Sequence, residues 1–148
     1  RVDMCVIIQD QLKKIGINVE IKIFEFGAYV SKTALPNKEL YFLSWNSSGD
    51  GDVALYPLFH SSQHGAPGNR SFYSNKKVDE LLDKARVSVN EEERTTLYKE
   101  VQNILQEDLA IYPLAYPKIN LAKNKNLTGL VFKKNGDIDL TNLDFNQK

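Results

Sequence analysis

The chain has 148 residues, enough for one domain with a buried core, and it balances 19 basic against 19 acidic residues. That neutrality, with no Lys/Arg stripe interleaved with aromatics, argues against a nucleic-acid partner and gives no pull toward an anionic membrane. No apolar run approaches the ~18 residues of a membrane span, and Cys5, alone in the sequence, has no internal disulfide partner.

The chain opens at Arg1 inside a helical pattern: Cys5, Ile8, Leu12 and Ile15 recur at helical spacing, and Gly16 is placed to end the helix in a left-handed cap. In that stripe Cys5 reads as a small buried thiol. Strict alternation follows, with Ile17, Val19, Ile21 and Ile23 on one face and Asn18, Glu20 and Lys22 on the other, the pattern of a half-buried strand. A short helix is predicted around Gly27 to Leu35, stopped by Pro36-Asn37. Leu40 to Trp45 is continuously apolar, as in a strand covered on both faces. Helix, strand, helix, strand predicts an α/β layer of parallel strands. An α/β domain rarely opens on its crossover helix, so the chain is expected to be a piece of a longer protein.

Val53 to Phe59 predicts a short helix bent near Pro57, followed by a turn-rich connection through Gly65, Pro67 and Gly68. Two amphipathic helices come next. Asn75 caps the first, whose stripe is Val78, Leu81, Leu82 and Ala85. Asn90 with Glu93 forms a capping-box pattern for the second, whose stripe is Leu97, Val101, Ile104 and Leu105. Together they read as a helical hairpin packed on the sheet. Pro113 and Pro117 restrict the tail to edge strands or extended chain. Asn135-Gly136 marks a hairpin turn between Val131-Phe132 and Ile138-Leu140.

The candidate site is the loop after the lone tryptophan, Trp45, where small and acidic residues run from Asn46 to Asp52. A calcium loop on Asp50-Gly51-Asp52 fails, because Ala54, Leu55 and Ser61 stand where its further oxygen ligands belong. A hydrolase using Asp50 and Asp52 lacks a neighbouring His or Lys to tune either carboxylate. His60 and His64 have the spacing of helical zinc ligands, but Gly65, Pro67 and Gly68 break the helix they would need. A ligand seat is the third reading: open α/β sheets bind at the carboxyl ends of their strands, and Trp45 would stand at such an end. A solvent loop with a half-buried structural Trp fits the local pattern equally well.

The block "SWNSSGDGDVALYPLFHSSQHGAPGNRSFYSNKKVDELLDKAR", then "NEEERTTLYKEVQNILQEDLAIYPLAYP", resembles the extracellular solute-binding proteins of family 5, the peptide receptors of bacterial ABC importers. The opening "IIQDQLKKIGINVEIKIFEFGAYVSK" resembles the segment preceding that block. The resemblance implies a two-lobed clamp of α/β lobes, residues 1–148 being the C-terminal part of one lobe with a mixed sheet and a helical hairpin. It also implies a non-enzymatic, monomeric receptor that needs no cofactor, acts outside the cytoplasm, free or as a lipoprotein, and delivers a peptide ligand to a membrane permease.

In that family the strand ending at the Trp pairs with the extended peptide. Carried over, Ser44 and Asn46 offer backbone contacts and Trp45 a pocket wall. The resemblance places the amine-binding Asp at the position of Ser48, so Asp50 is the carboxylate left to take that role. Capping of the helix that follows is the competing role for Asp50. Nickel and haem receptors share the fold.

Overall fold

In the computed structural model, which describes residues 1–47, 49–133 and 136–146, helices carry most of the regular structure. The elements are α1 (Val2–Lys13), α2 (Phe26–Thr33), α3 (Gly51–Phe59), a 3-10 turn at Ser61–Gln63, α4 (Lys76–Val87) and α5 (Glu91–Glu107). Four two-residue strands follow: β1 (Leu127–Thr128), β2 (Val131–Phe132), β3 (Ile138–Asp139) and β4 (Asp144–Phe145).

The core lies between α3, α4 and α5. The Asn75 side-chain oxygen accepts from the Lys77 and Val78 amides, and that of Asn90 from Glu92 and Glu93, so each helix starts where its cap residue stands. From those starts the 3.6-residue period brings Val78, Leu81, Leu82 and Ala85 against Leu97, Val101 and Leu105, all buried. Ile104 is half-buried at the edge of this cluster. Tyr56 and Phe59 of α3 complete the core, so the hairpin packs on a helix and not on the expected sheet.

The capping box is not closed by Glu93. Its carboxylate accepts from the Ser88 hydroxyl at 2.6 Å and pairs with Lys84 at 3.2 Å. The Ser88 oxygen instead receives the Asn90 amide, the donor a boxed Glu93 would have covered.

α3 contains Pro57, as expected, which leaves one turn of the helix without an amide donor. Its first residue is fixed by contact: a Cβ at Gly51 would lie 2.6 Å from the Tyr98 ring of α5. Between α3 and α4, fully buried Asn69 holds the connection together. Its side-chain amide donates to the carbonyls of His60 and Tyr73, and its oxygen accepts from the Ser71 hydroxyl and the Tyr73 amide. Buried Arg70 donates to the Val30 carbonyl at 2.6 Å and the Thr33 hydroxyl at 3.0 Å, tying this loop to the end of α2.

The N-terminal third differs from expectation. α1 ends as foreseen, with Gly16 at φ +84° and the Ile17 amide reaching back to the Leu12 carbonyl. However, α1 buries no residue, and Cys5, expected to be buried, is half-buried. Among the described residues, neither 18–24 nor 40–46 makes a backbone-to-backbone hydrogen bond. Alternating and continuous apolar runs were read there as strands. A strand also needs a neighbour to complete its ladder, and none stands beside either run among the described residues.

The described sheets are two antiparallel pairs. β2 and β3 form the expected hairpin, Phe132 opposite Ile138, with Gly136 at φ +87° in the turn; Asn135 lies outside the described residues. β1 pairs with β4, Leu127 opposite Phe145, a long-range contact that no local pattern announced. No described helix is long and apolar enough to cross a membrane.

Candidate functional site

Residues 40–46 lead into the loop, and α2 holds them by one side chain. The Tyr29 hydroxyl donates to the Phe42 carbonyl at 2.6 Å and accepts from the Phe42 amide at 2.7 Å. Both groups of one residue converge on a single point only when the backbone is extended there. Beyond Phe42, the Ser44 hydroxyl accepts from an Arg1 Nη at 2.6 Å, and Trp45 and Asn46 are exposed, Trp45 at 41% of its surface. Gly49 turns the chain at φ +96°. Ser48 lies outside the described residues.

Asp50 caps α3. Its Oδ1 accepts from the Asp52 amide at 2.7 Å and its carbonyl from the Ala54 amide at 3.1 Å. The same carboxylate meets an Arg94 Nη from α5 at 3.2 and 3.3 Å, and that nitrogen is 3.4 Å from the Tyr98 hydroxyl. The side chain of Asp50 keeps 47% exposure, so the carboxylate stays half open to solvent beside Arg94.

Asp52 is engaged differently. Arg86 of α4 grips it with Nε and Nη, both at 3.0 Å, a bidentate pair. That hydrogen bond, the largest influence on the Arg86 guanidinium, raises its pKa further. The guanidinium also lies 3.4 Å above the centre of the Tyr56 ring, whose other partner in stacking is His60 at 4.3 Å. The two loop carboxylates are therefore structural ties between the start of α3 and the α4–α5 hairpin.

The two histidines are not a ligand pair. The Nδ1 of His60 accepts from the Ser62 amide at 3.0 Å, so in the neutral ring the proton sits on Nε2, buried and 3.4 Å from an Asp83 oxygen. His64 Nε2 is 3.0 Å from the Tyr73 carbonyl, to which it donates. Among the described residues no group of three or more side chains could hold a metal ion.

Ser44, Trp45 and Asn46 thus follow the Tyr29-held Phe42, and Asp50 caps α3. Sequence reasoning missed Tyr29, Arg86 and Arg94, which hold Phe42, Asp52 and Asp50. Each lies in a helix at a position that reads as solvated surface, and its partner stands 13, 34 or 44 residues away. Two open hollows, one beside Asn103, Gln106 and Glu107 and one between α1 and Asn18-Val19, lie away from the loop.

No family model matches the chain. It is similar to the Di/tripeptide-binding protein 2 of Pseudomonas aeruginosa, 36% identical over 124 residues, covering 83% of this chain and 23% of that protein. The Glutathione-binding protein GsiB of Escherichia coli is 34% identical over 129 residues, 82% of this chain and 25% of its own length. Among solved structures, the periplasmic binding protein DppA of Helicobacter pylori, in complex with the peptide STSA, matches with a TM-score of 0.72 at 38% identity, covering 79% of this chain and 23% of that one. The oligopeptide-binding protein AppA of Bacillus subtilis, holding a nonapeptide, matches with the same TM-score at 27% identity, covering 99% and 29%. The chain spans about a quarter of the length of the curated relatives it matches.

Proposed function

We propose, for a chain that belongs to the peptide-binding solute receptors of ABC transporters, that residues 1–148 form part of one lobe of a two-lobed clamp closing on an extended peptide. One observation carries the reading. Residues 40–46 are extended at Phe42, have no backbone partner among the described residues, and run directly into the half-exposed Trp45 loop. An extended ligand adds to such an edge as a strand would, and main-chain hydrogen bonds supply affinity for many sequences.

In this reading Ser44 and Asn46 take the ligand's backbone hydrogen bonds and the Trp45 ring walls a side-chain pocket. By its place in the sequence Ser48 is counted with these ligand contacts. Asp50 receives a cationic group, its half-exposed carboxylate sharing or exchanging the Arg94 contact for a ligand ammonium. The receptor captures peptides outside the cytoplasm, as a monomer that is free or lipid-anchored, and delivers them to the permease of its importer without turning them over. The names of its relatives, a di/tripeptide receptor and a glutathione receptor, support a short peptide or a peptide-like solute as ligand.

The test is calorimetric titration of the full-length receptor with peptides and with glutathione, beside an assay for peptide and ester hydrolysis. Saturable binding without turnover is expected. Hydrolysis abolished by Asp52→Asn would replace this reading with an enzymatic one. Asp50→Asn, which keeps a capping oxygen, is expected to weaken a free peptide about tenfold or more while leaving its N-acetylated form unchanged.

A further inference from the structure

We infer that the Tyr29 hydroxyl sets the length of peptide accepted along residues 40–46, by occupying the hydrogen-bonding position next to Ser44. The inference rests on the proposal that a peptide pairs with the backbone of Ser44 and Asn46. In extended chain the amide and carbonyl of alternate residues face the same edge, so Phe42, Ser44 and Asn46 share one edge and Tyr41, Leu43 and Trp45 the other. The Phe42 groups on the first edge are both taken, at 2.6 and 2.7 Å, by a single hydroxyl, which can donate once and accept as well.

That hydroxyl is held by elements outside the segment. Tyr29 stands in the first turn of α2, its amide bonded to the Glu25 carbonyl at 2.8 Å. The Glu25 carboxylate caps the same turn through the Ala28 amide, and Arg70 grips the neighbouring Val30 carbonyl. The Ser44 side chain is occupied by Arg1, but no backbone-to-backbone bond engages its main chain among the described residues.

A ligand strand on this edge therefore meets two open positions about 7 Å apart and then the phenol ring. Two positions serve roughly three ligand residues. A longer peptide must leave the edge beyond Ser44.

The experiment measures, in the full-length receptor, the ratio of dissociation constants for a tripeptide and for the pentapeptide that extends it. Tyr29→Ala opens the Phe42 position, and the ratio is expected to shift toward the pentapeptide by about tenfold, the worth of one pair of hydrogen bonds. An unchanged ratio overturns the inference, however far both affinities fall, because general loosening weakens the two ligands alike. If Tyr29→Ala does not fold, the wild-type receptor decides with pentapeptides N-methylated at each amide in turn. Losses confined to at most two alternate amides support the assignment, and a third equal loss overturns it. A wild-type receptor that binds no peptide would remove the proposed function itself, a result distinct from either.

Discussion

Residues 51–107 and residues 1–47 carry apolar side chains at equally regular spacing, yet only the first set is buried. Val78, Leu82, Ala85 and Val101 are wholly inaccessible, whereas Ile15 and Ile23 keep 70% of their surface and α1 buries nothing. Periodicity says which face of an element is apolar; it does not say what will cover it. In α3–α5 the covering elements follow one another in sequence, α4 and α5 across a short loop and α3 and α4 across a connection that buried Asn69 holds together. In the N-terminal third, α2 meets the 40–46 segment through Tyr29 and the α3–α4 connection through Arg70, single polar side chains rather than a packed layer.

The largest effect expected from this contrast is in the core. Leu82→Ala should cost about 2–5 kcal/mol in denaturant or thermal unfolding, because it removes a fully buried side chain and leaves a cavity. Ile15→Ala, an equal change on an exposed position, should stay within about 0.5 kcal/mol. Equal losses at the two sites would mean that α1 is covered in solution.

Gly51→Ala sharpens the boundary between the regions. The added methyl meets the Tyr98 ring at 2.6 Å, so a loss of about 1–3 kcal/mol is expected from overpacking, and Gly51→Ala combined with Tyr98→Ala should recover part of it. Asp50 comes next. Asp50→Ala removes the cap of α3 and should cost about 1 kcal/mol, while Asp50→Asn keeps the cap and loses only a half-exposed ion pair, worth less than about 1 kcal/mol. Equal melting temperatures for the two variants would remove the capping role.

The smallest effect is a pH dependence at the far end of the hairpin. Asp108 accepts from the Tyr73 hydroxyl at 2.5 Å and from Asn75 at 2.9 Å, and these bonds, Tyr73 first, hold its carboxyl below the ordinary aspartate value. Stability from this group is present above the unfolded-state value and is lost as pH falls through the lower folded value, in the acid range below about pH 4. Tyr73 titrates the other way. Burial first, and then the bond to Asp108, push it up to about 12, so its contribution holds below the unfolded value near 10 and declines between about 10 and 12. Asp108→Asn should flatten the acid limb of a stability–pH curve, and Tyr73→Phe the alkaline one. A curve unchanged by either substitution would separate α4's start from α5's end.

The sequence by itself determined most of what depends on neighbours three or four residues away, the Glu93 half of the capping box excepted. The Asn75 and Asn90 caps, the apolar stripes of α4 and α5, the Gly16 helix end and the hairpin around Gly136 are local facts, set by helical period and backbone freedom. The order of motifs likewise carried the family. Only the tertiary structure decided which apolar faces found a partner among the described residues. It alone placed Tyr29 on Phe42, Arg94 on Asp50, Arg86 on Asp52 and β4 on β1. Such contacts join residues up to 44 apart, and their energies come from geometry that no local pattern encodes, since an arginine on a helix surface looks the same whether it faces water or a carboxylate.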